Sequence, residues 1–156
     1  MKVKGDRSGL IFWKTLLPKI LVNTKCKGGK GILFLWLPAF FYAAFIFYLS
    51  SLTHIQPLPL SFPGSDKVIH FFEYLGLAFL MIRALHTEKK LSIRARYLAA
   101  FLLAAAYGAS DEFHQYFVPG RDCSGFDLLA DTAGSAAGIV IFTRMIRFLR
   151  IPAVSD

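Results

Sequence analysis

The sequence predicts an all-α, polytopic membrane protein that forms a bundle of four transmembrane helices. The first observation is composition. Of its 156 residues, 55% are hydrophobic, and a soluble domain of this size keeps too much surface exposed to hide that share. The second is four apolar segments, each about 18 to 25 residues long, the length that crosses a bilayer. The third is an uneven distribution of Lys and Arg between these segments.

Each apolar segment predicts one helix. In chain order the segments run from Gly31 to Leu52, Val68 to Leu85, Tyr97 to Phe117 and Gly125 to Phe148. Together they predict one membrane domain, residues 31–150, which follows a basic N-terminal segment, residues 1–30, and precedes a short tail, residues 151–156. The N-terminal segment is interrupted by Lys14, Pro18 and Lys19 and has no small-residue cleavage site. It therefore resembles a surface-lying segment more than a signal peptide.

The positions of Lys and Arg predict the orientation of the bundle. Of 18 basic residues, 16 lie before the first span, around the loop between the second and third spans, or at the end of the fourth. The other two connecting segments hold one each, Lys67 and Arg121. The positive-inside rule therefore predicts cytoplasmic N and C termini. The chain also lacks a basic stripe interleaved with aromatic residues, so we expect membrane lipids and not nucleic acid as a partner.

Ionisable residues gather in the outer third of the second, third and fourth spans. At a rise of 1.5 Å per residue, Glu73, Asp111 and Asp131 reach about 8 to 9 Å below the outer boundary. A shallower group, from about one turn above them to the mouth, consists of His70, His114, Gln115, Asp127, Asp66 and Arg121. A charge that faces lipid costs at least about 2.5 kcal/mol, so these residues are predicted to face one another or a wet cavity.

Several of these residues also have a structural interpretation. Asp66 could cap the second span, and Ser124 with Asp127 has the spacing of a capping box. The GxxxG pattern of Gly134 and Gly138 predicts close approach of another helix, within the chain or in a homodimer.

Four ionisable residues are not explained by capping, because they lie within apolar helical runs: His70, Glu73, Asp111 and His114. An ionisable residue inside the membrane is a functional candidate. These four are therefore the catalytic candidates, and a hydrogen-bonded core that fixes helix register is the alternative.

Three motifs resemble those of the VanZ-like family of bacterial membrane proteins. Asp66-Lys-Val-Ile-His70-Phe-Phe-Glu73-Tyr74 resembles its D-K-x-x-H-x-x-E-Y signature. Asp111-Glu-Phe-His114-Gln115-Tyr-Phe-Val-Pro-Gly-Arg121 resembles D-E-x-x-Q-x-x-x-P-G-R. Asp127-Leu-Leu-Ala-Asp131-Thr-Ala-Gly134 resembles D-x-x-x-N/D-x-x-G. The resemblance covers about Asp66 to Ile141, with the motifs in the family's order and spacing.

The resemblance implies a bacterial inner-membrane protein that acts at the cell envelope, since the family's namesake protects Gram-positive bacteria against the lipoglycopeptide teicoplanin. It assigns no catalytic roles. Together with the polar stripes, which are the polar residues on one face of the outer third of the second, third and fourth spans, it gives a set of ligand-binding candidates: Asp66, His70, Glu73, Tyr74, Asp111, Glu112, His114, Gln115, Arg121, Asp127 and Asp131.

Three functions are open at this point. The chain could bind a lipid-linked head group or the antibiotic without turnover. It could instead be a hydrolase or transferase on a lipid head group, with the carboxylates and histidines as acid and base or as ligands of a divalent metal, and with Arg121 on a phosphate. An ion-coupled transporter is disfavoured, because the inner half of each span is apolar.

Overall fold

The computed structural model describes residues 29–53 and 64–149, with side chains from residue 33 onward. Within these residues the chain forms four α-helices and no strand: α1 Gly29–Ser50, α2 Ser65–Leu85, α3 Ile93–Gln115 and α4 Gly125–Phe148. The all-α prediction is confirmed. Most of the segment 1–30 and all of the tail 151–156 lie outside the described residues.

Helices α2 and α3 each begin about one turn earlier than the apolar runs predict, because their starts are set by local capping. Ser92 precedes α3, and its side chain accepts a hydrogen bond from the Ala95 N–H at 3.3 Å. Gly64 precedes α2 with a φ of 89°, a conformation that glycine adopts without steric cost. Asp66 therefore lies in the first turn of α2 and is not its N-cap residue.

Three of the four described helices are long and apolar enough to cross a membrane: Leu33–Ser50, Ser65–Leu85 and Gly125–Phe148. Helix α3 is of similar length but falls outside this group. Its first turns carry Arg94 and Arg96, and its last turns carry Asp111 and Glu112. The apolar stretch between these charges is shorter than a full span.

The closest helix pair is α2 with α4, and two glycines make the contact. A Cβ atom added at Gly134 would collide with the carbonyl oxygen of Phe71, and one at Gly138 would collide with that of Leu75. Because both pairs advance by four residues, the two helices run parallel. The predicted close approach is thus confirmed within one chain. Helix α2 lies against both glycines within the chain, and the expected homodimer contact through them stays a prediction.

Helix α3 packs against both α2 and α4, and α1 lies mainly against α2. Ile82, Ala100 and Phe142 meet in one apolar cluster, and Ile46, Tyr74 and Leu77 meet in another. This arrangement brings the start of α3 beside the ends of α2 and α4, as short connections between consecutive helices require.

The outer surface of the bundle is apolar. Many large apolar side chains are more than half exposed, among them Leu33, Phe40, Phe41, Tyr48, Phe72, Leu98, Phe113, Phe126, Leu129 and Phe148. Water would penalise such a surface, since soluble proteins rarely expose large contiguous apolar patches. Several charged and polar side chains are instead buried between the helices. An apolar exterior around a partly polar interior is the arrangement of a membrane protein.

Candidate functional site

The polar end of the bundle is the end at which α2 and α4 begin and α1 and α3 finish. Six ionisable or amide side chains are buried there between α2, α3 and α4: His70, Asp111, Glu112, Gln115, Asp127 and Asp131. All six belong to the predicted ligand-binding set. The expectation that the polar stripes of these three helices face one another is therefore met by the geometry.

The centre of the polar end is a triad made of His70, Glu112 and Asp131, one residue from each of the three helices. The Nδ1 atom of His70 lies 2.9 Å from Oδ1 of Asp131 and 3.8 Å from Oε1 of Glu112. The three donor atoms all lie within 4.8 Å of one another. A histidine and two carboxylates at this spacing can hold a metal ion or exchange a proton.

The fold positions the triad through small residues and through one loop contact. Gly108 on α3 faces Asp131, and a Cβ atom there would lie 3.0 Å from Oδ2 of that aspartate. Glycine at this position therefore lets α3 approach the carboxylate. The Ser124 N–H donates a hydrogen bond to Oε2 of Glu112 at 2.8 Å. The loop before α4 thus holds one oxygen of Glu112 and leaves Oε1 facing His70.

Besides Ser50 Oγ and the Lys67-paired Oδ1 of Asp127, four buried oxygen atoms at the polar end have no hydrogen-bond partner among the described residues. They are Oδ1 of Asp111, Oε1 of Glu112, Oδ2 of Asp131 and the hydroxyl of Tyr74. Asp111 uses its other oxygen to accept a hydrogen bond from Gln115 Nε2 at 3.1 Å. Leaving a buried polar atom unpaired costs about 1 to 3 kcal/mol. Natural structures hold few such atoms, so this cluster is a candidate binding site.

Two ion pairs lie at the outer edge of the polar end, beside the start of α2. Lys67 Nζ lies 2.7 Å from Asp66 Oδ2 and 3.1 Å from Asp127 Oδ1. Asp66 is exposed and Asp127 is buried, so the lysine connects the surface to the interior. Glu73 is partly buried and lies within electrostatic range of His70, Asp111 and Asp131, which places it beside the triad and not in it.

The capping box predicted at the start of α4 is half present. Ser124 is the N-cap residue, and its hydroxyl accepts a hydrogen bond from the Phe126 N–H at 3.3 Å. The Ser124 N–H, which in a complete capping box would donate to Asp127, donates instead to Glu112 on α3. Asp127 pairs with Lys67 instead.

Two predicted ligand residues lie against α1. His114 stacks on Phe47 with ring centroids 4.5 Å apart, and its Nε2 lies 3.1 Å from the hydroxyl of Ser51. Arg121 donates hydrogen bonds to the carbonyl oxygens of Leu49 at 2.9 Å and Leu52 at 3.3 Å.

Arg121 thereby satisfies carbonyl groups that a helix leaves unpaired at its C-terminal end, where positive charge is also favourable. Its interpretation as a phosphate ligand is not supported by these contacts.

The other end of the bundle contains buried polar residues that the sequence did not single out. His86, which follows α2 directly, is 1% exposed, and its ring packs edge-on against Phe142 with the ring centroids 5.5 Å apart. Arg96 donates a hydrogen bond to the His86 carbonyl at 3.1 Å. Burial, together with the nearby Arg96, lowers the pKa of His86 below its ordinary value. No sequence motif marks His86, because burial just past a helix end leaves no local sequence pattern.

The chain belongs to the VanZ/LLP1 family, because the sequence profile of that family matches residues 8–148. Neither a curated protein nor a solved structure gives a significant match to the chain. The match extends beyond the range covered by the three motifs and includes the region of α1. The predicted family assignment is therefore confirmed.

Proposed function

From its membership in the VanZ/LLP1 family, we propose that the chain acts at the envelope side of the bacterial cytoplasmic membrane. There the polar end binds the head group of a lipid-linked envelope precursor or a lipoglycopeptide, and cells that carry the protein gain resistance to teicoplanin. The distribution of Lys and Arg supports the orientation, with both termini in the cytoplasm.

The observation that carries this proposal is the group of four unpartnered buried oxygens. Three belong to carboxyl groups and one to a phenol, so the cluster mainly needs hydrogen-bond donors. A sugar–peptide head group offers hydroxyl and amide donors, and a glycopeptide offers the same. Binding would pair oxygens that are costly to leave unpaired. The apolar surface of the bundle suits the lipid portion of either ligand.

The experiment uses the full chain in lipid nanodiscs and measures binding of two probes, a lipid-linked disaccharide–peptide precursor and teicoplanin. We expect Asp111→Asn to weaken binding about tenfold to a hundredfold, because one unpartnered acceptor becomes a donor. Asp122→Asn is the matched control, since Asp122 is an exposed carboxylate near the same end. The proposal is wrong if neither probe binds, or if Asp111→Asn binds as tightly as the unchanged chain.

A cellular arm tests the consequence for resistance. Expression of the chain in a susceptible Gram-positive host should raise the teicoplanin concentration that stops growth, and Asp111→Asn should remove most of that increase. Unchanged susceptibility, with protein present in the membrane, would contradict the resistance part and leave the binding part to the nanodisc result.

One observation favours a second function, a hydrolase or transferase acting on a lipid head group. Asp131 accepts a hydrogen bond from His70 Nδ1, which orients the ring and leaves Nε2 to accept a proton from water or a hydroxyl group. Mass spectrometry of the lipid probe after incubation distinguishes this function from simple binding. Turnover should disappear in His70→Gln and persist in Asp122→Asn; an unaltered probe would contradict enzymatic activity on that lipid.

A further inference from the structure

We infer that His70, Glu112 and Asp131 form a binding site for one divalent transition-metal cation, of which Zn²⁺ is the best match. This site goes beyond the proposed head-group binding: the cation takes the oxygens of Glu112 and Asp131 and leaves those of Asp111 and Tyr74 to a head group. The three residues come from three different helices, so a bound cation would join α2, α3 and α4 at the polar end.

The spacing of the three donor atoms suits one ion. Ligand atoms that lie about 2.0 to 2.2 Å from a tetrahedral zinc ion are about 3.3 to 3.6 Å from one another. The two distances from His70 Nδ1, 2.9 Å to Asp131 and 3.8 Å to Glu112, lie on either side of that range. Side-chain movements of a few tenths of an ångström would bring both distances from His70 Nδ1 into that range, and the carboxylate oxygens of Glu112 and Asp131 lie within 4.8 Å of each other.

The unpartnered oxygens provide an independent indication of a cation. Oε1 of Glu112 and Oδ2 of Asp131 have no hydrogen-bond partner among the described residues. Both side chains are more than nine-tenths buried. Two buried carboxylates next to one histidine leave an excess of negative charge in a poorly solvated place. Such charges are normally paired or bound to a metal, and a divalent cation would compensate both.

The second carboxylate oxygen of Glu112 is held by a hydrogen bond from a residue outside the triad. The Ser124 N–H fixes Oε2 of Glu112, so Oε1 points toward His70. Hydrogen bonds of this kind orient ligating carboxylates in known metal sites. Binding at Nδ1 requires that nitrogen to be deprotonated, and its proton leaves to solvent as the ion enters.

The donor set selects the class of ion. Calcium takes six to eight oxygen ligands, and magnesium prefers carboxylates with several waters. Imidazole nitrogen favours zinc and other transition metals. Three protein ligands also leave a fourth position of a tetrahedral ion open. That position would be available to a water molecule or to a phosphate or hydroxyl oxygen of a ligand.

The test measures the metal content of the full chain in mild detergent after dialysis against a metal-buffered Zn²⁺ solution. We expect one zinc ion per chain, which a chelator removes. Loss of a hydrogen-bond partner of a metal ligand weakens metal binding about 10- to 100-fold. Loss of a ligand itself should cost more, so His70→Gln, Glu112→Gln and Asp131→Asn should each weaken Zn²⁺ binding by more than about 100-fold. Asp122→Asn is the matched control, because Asp122 is an exposed carboxylate near the same end and belongs to neither the triad nor the buried polar residues.

A second measurement separates ligand loss from misfolding. Zn²⁺ should raise the unfolding temperature of the unchanged chain and of Asp122→Asn, and it should leave that of a folded triad variant unchanged. The inference is overturned if the unchanged chain takes up no stoichiometric zinc, or if Asp122→Asn loses zinc as fully as Glu112→Gln does. Neither measurement uses a head group, so failure here leaves the proposed head-group binding to its own test.

Discussion

Gly134→Ala tests whether the parallel contact between α2 and α4 holds the bundle together. The added methyl group would collide with the Phe71 carbonyl oxygen and approach the Leu75 backbone nitrogen at 3.1 Å. Because these are backbone atoms of a packed helix, they cannot rotate away, and the helices must separate. Inserting a methyl group into a close-packed interior costs about 1 to 3 kcal/mol.

The size of the effect follows from two opposing terms. Alanine is better than glycine inside a helix by up to about 1 kcal/mol, which offsets part of the steric cost. Because the overlap is with backbone atoms, the steric cost lies at the upper end of its range, about 3 kcal/mol, and we therefore expect a net loss of about 2 kcal/mol for Gly134→Ala. Gly138→Ala should behave alike, since its added methyl group meets the Leu75 backbone. At Gly125 an added Cβ has no neighbour within 4 Å, so Gly125→Ala is the matched control and should be neutral or slightly stabilising.

The assay is equilibrium unfolding in mixed micelles of mild detergent and dodecyl sulfate, followed by tryptophan fluorescence. The loss for Gly134→Ala should not change with protein concentration, because the contact lies within one chain. Equal stability of Gly134→Ala and Gly125→Ala would refute the close packing of α2 against α4 at Gly134. A loss that grows on dilution would instead point to these glycines at a contact between chains.

Three further predictions use the same unfolding measurement. Arg121→Ala should destabilise the bundle by about 1.5 to 3 kcal/mol, the range for hydrogen bonds to a charged group, whereas an unchanged free energy would mean that its bonds to the end of α1 contribute nothing. Asp111→Asn should raise stability by about 1 kcal/mol or more, because it replaces a buried carboxyl group that has an unpartnered Oδ1 by an amide whose oxygen can still accept the Gln115 hydrogen bond; a loss would show that Oδ1 has a stabilising partner. The lowered pKa of His86 means that the unfolded chain binds its proton more tightly, so stability should be full above pH 6.5 and fall as the pH drops below that value. His86→Phe should remove this part of the pH dependence, and an identical pH profile in both proteins would contradict it.

The fold was largely predictable from sequence because its signals are local. A run of apolar residues predicts a spanning helix without knowledge of its neighbours. The prediction was less accurate at helix starts, where a capping residue such as Ser92 or Gly64 decides the boundary. It was incomplete for α3, whose apolar stretch alone is too short.

The membership of the site was predictable, but its internal geometry was not. Helical spacing put His70 and Asp131 on inward faces, and depth placed His70 about one turn shallower than Asp131. Spacing could not show that Glu112 and not Asp111 meets His70, because adjacent residues on a helix differ by about 100° in direction. It also could not show that Arg121 turns toward α1, since that contact joins residues far apart in sequence.

Helix α3 explains why site and fold are coupled in this protein. It carries Asp111 and Glu112, and a charged side chain near the centre of a membrane helix costs about 2.5 to 3.5 kcal/mol on insertion scales. In the bundle both side chains are buried against α2 and α4, so lipid contact is avoided only when those helices are packed. The close contact at Gly134 therefore does more than hold two helices together. It brings α2 and α4 near enough to enclose the carboxylates of α3. A substitution that separates these two helices should therefore disturb the candidate site, although Gly134 is not itself one of the site residues.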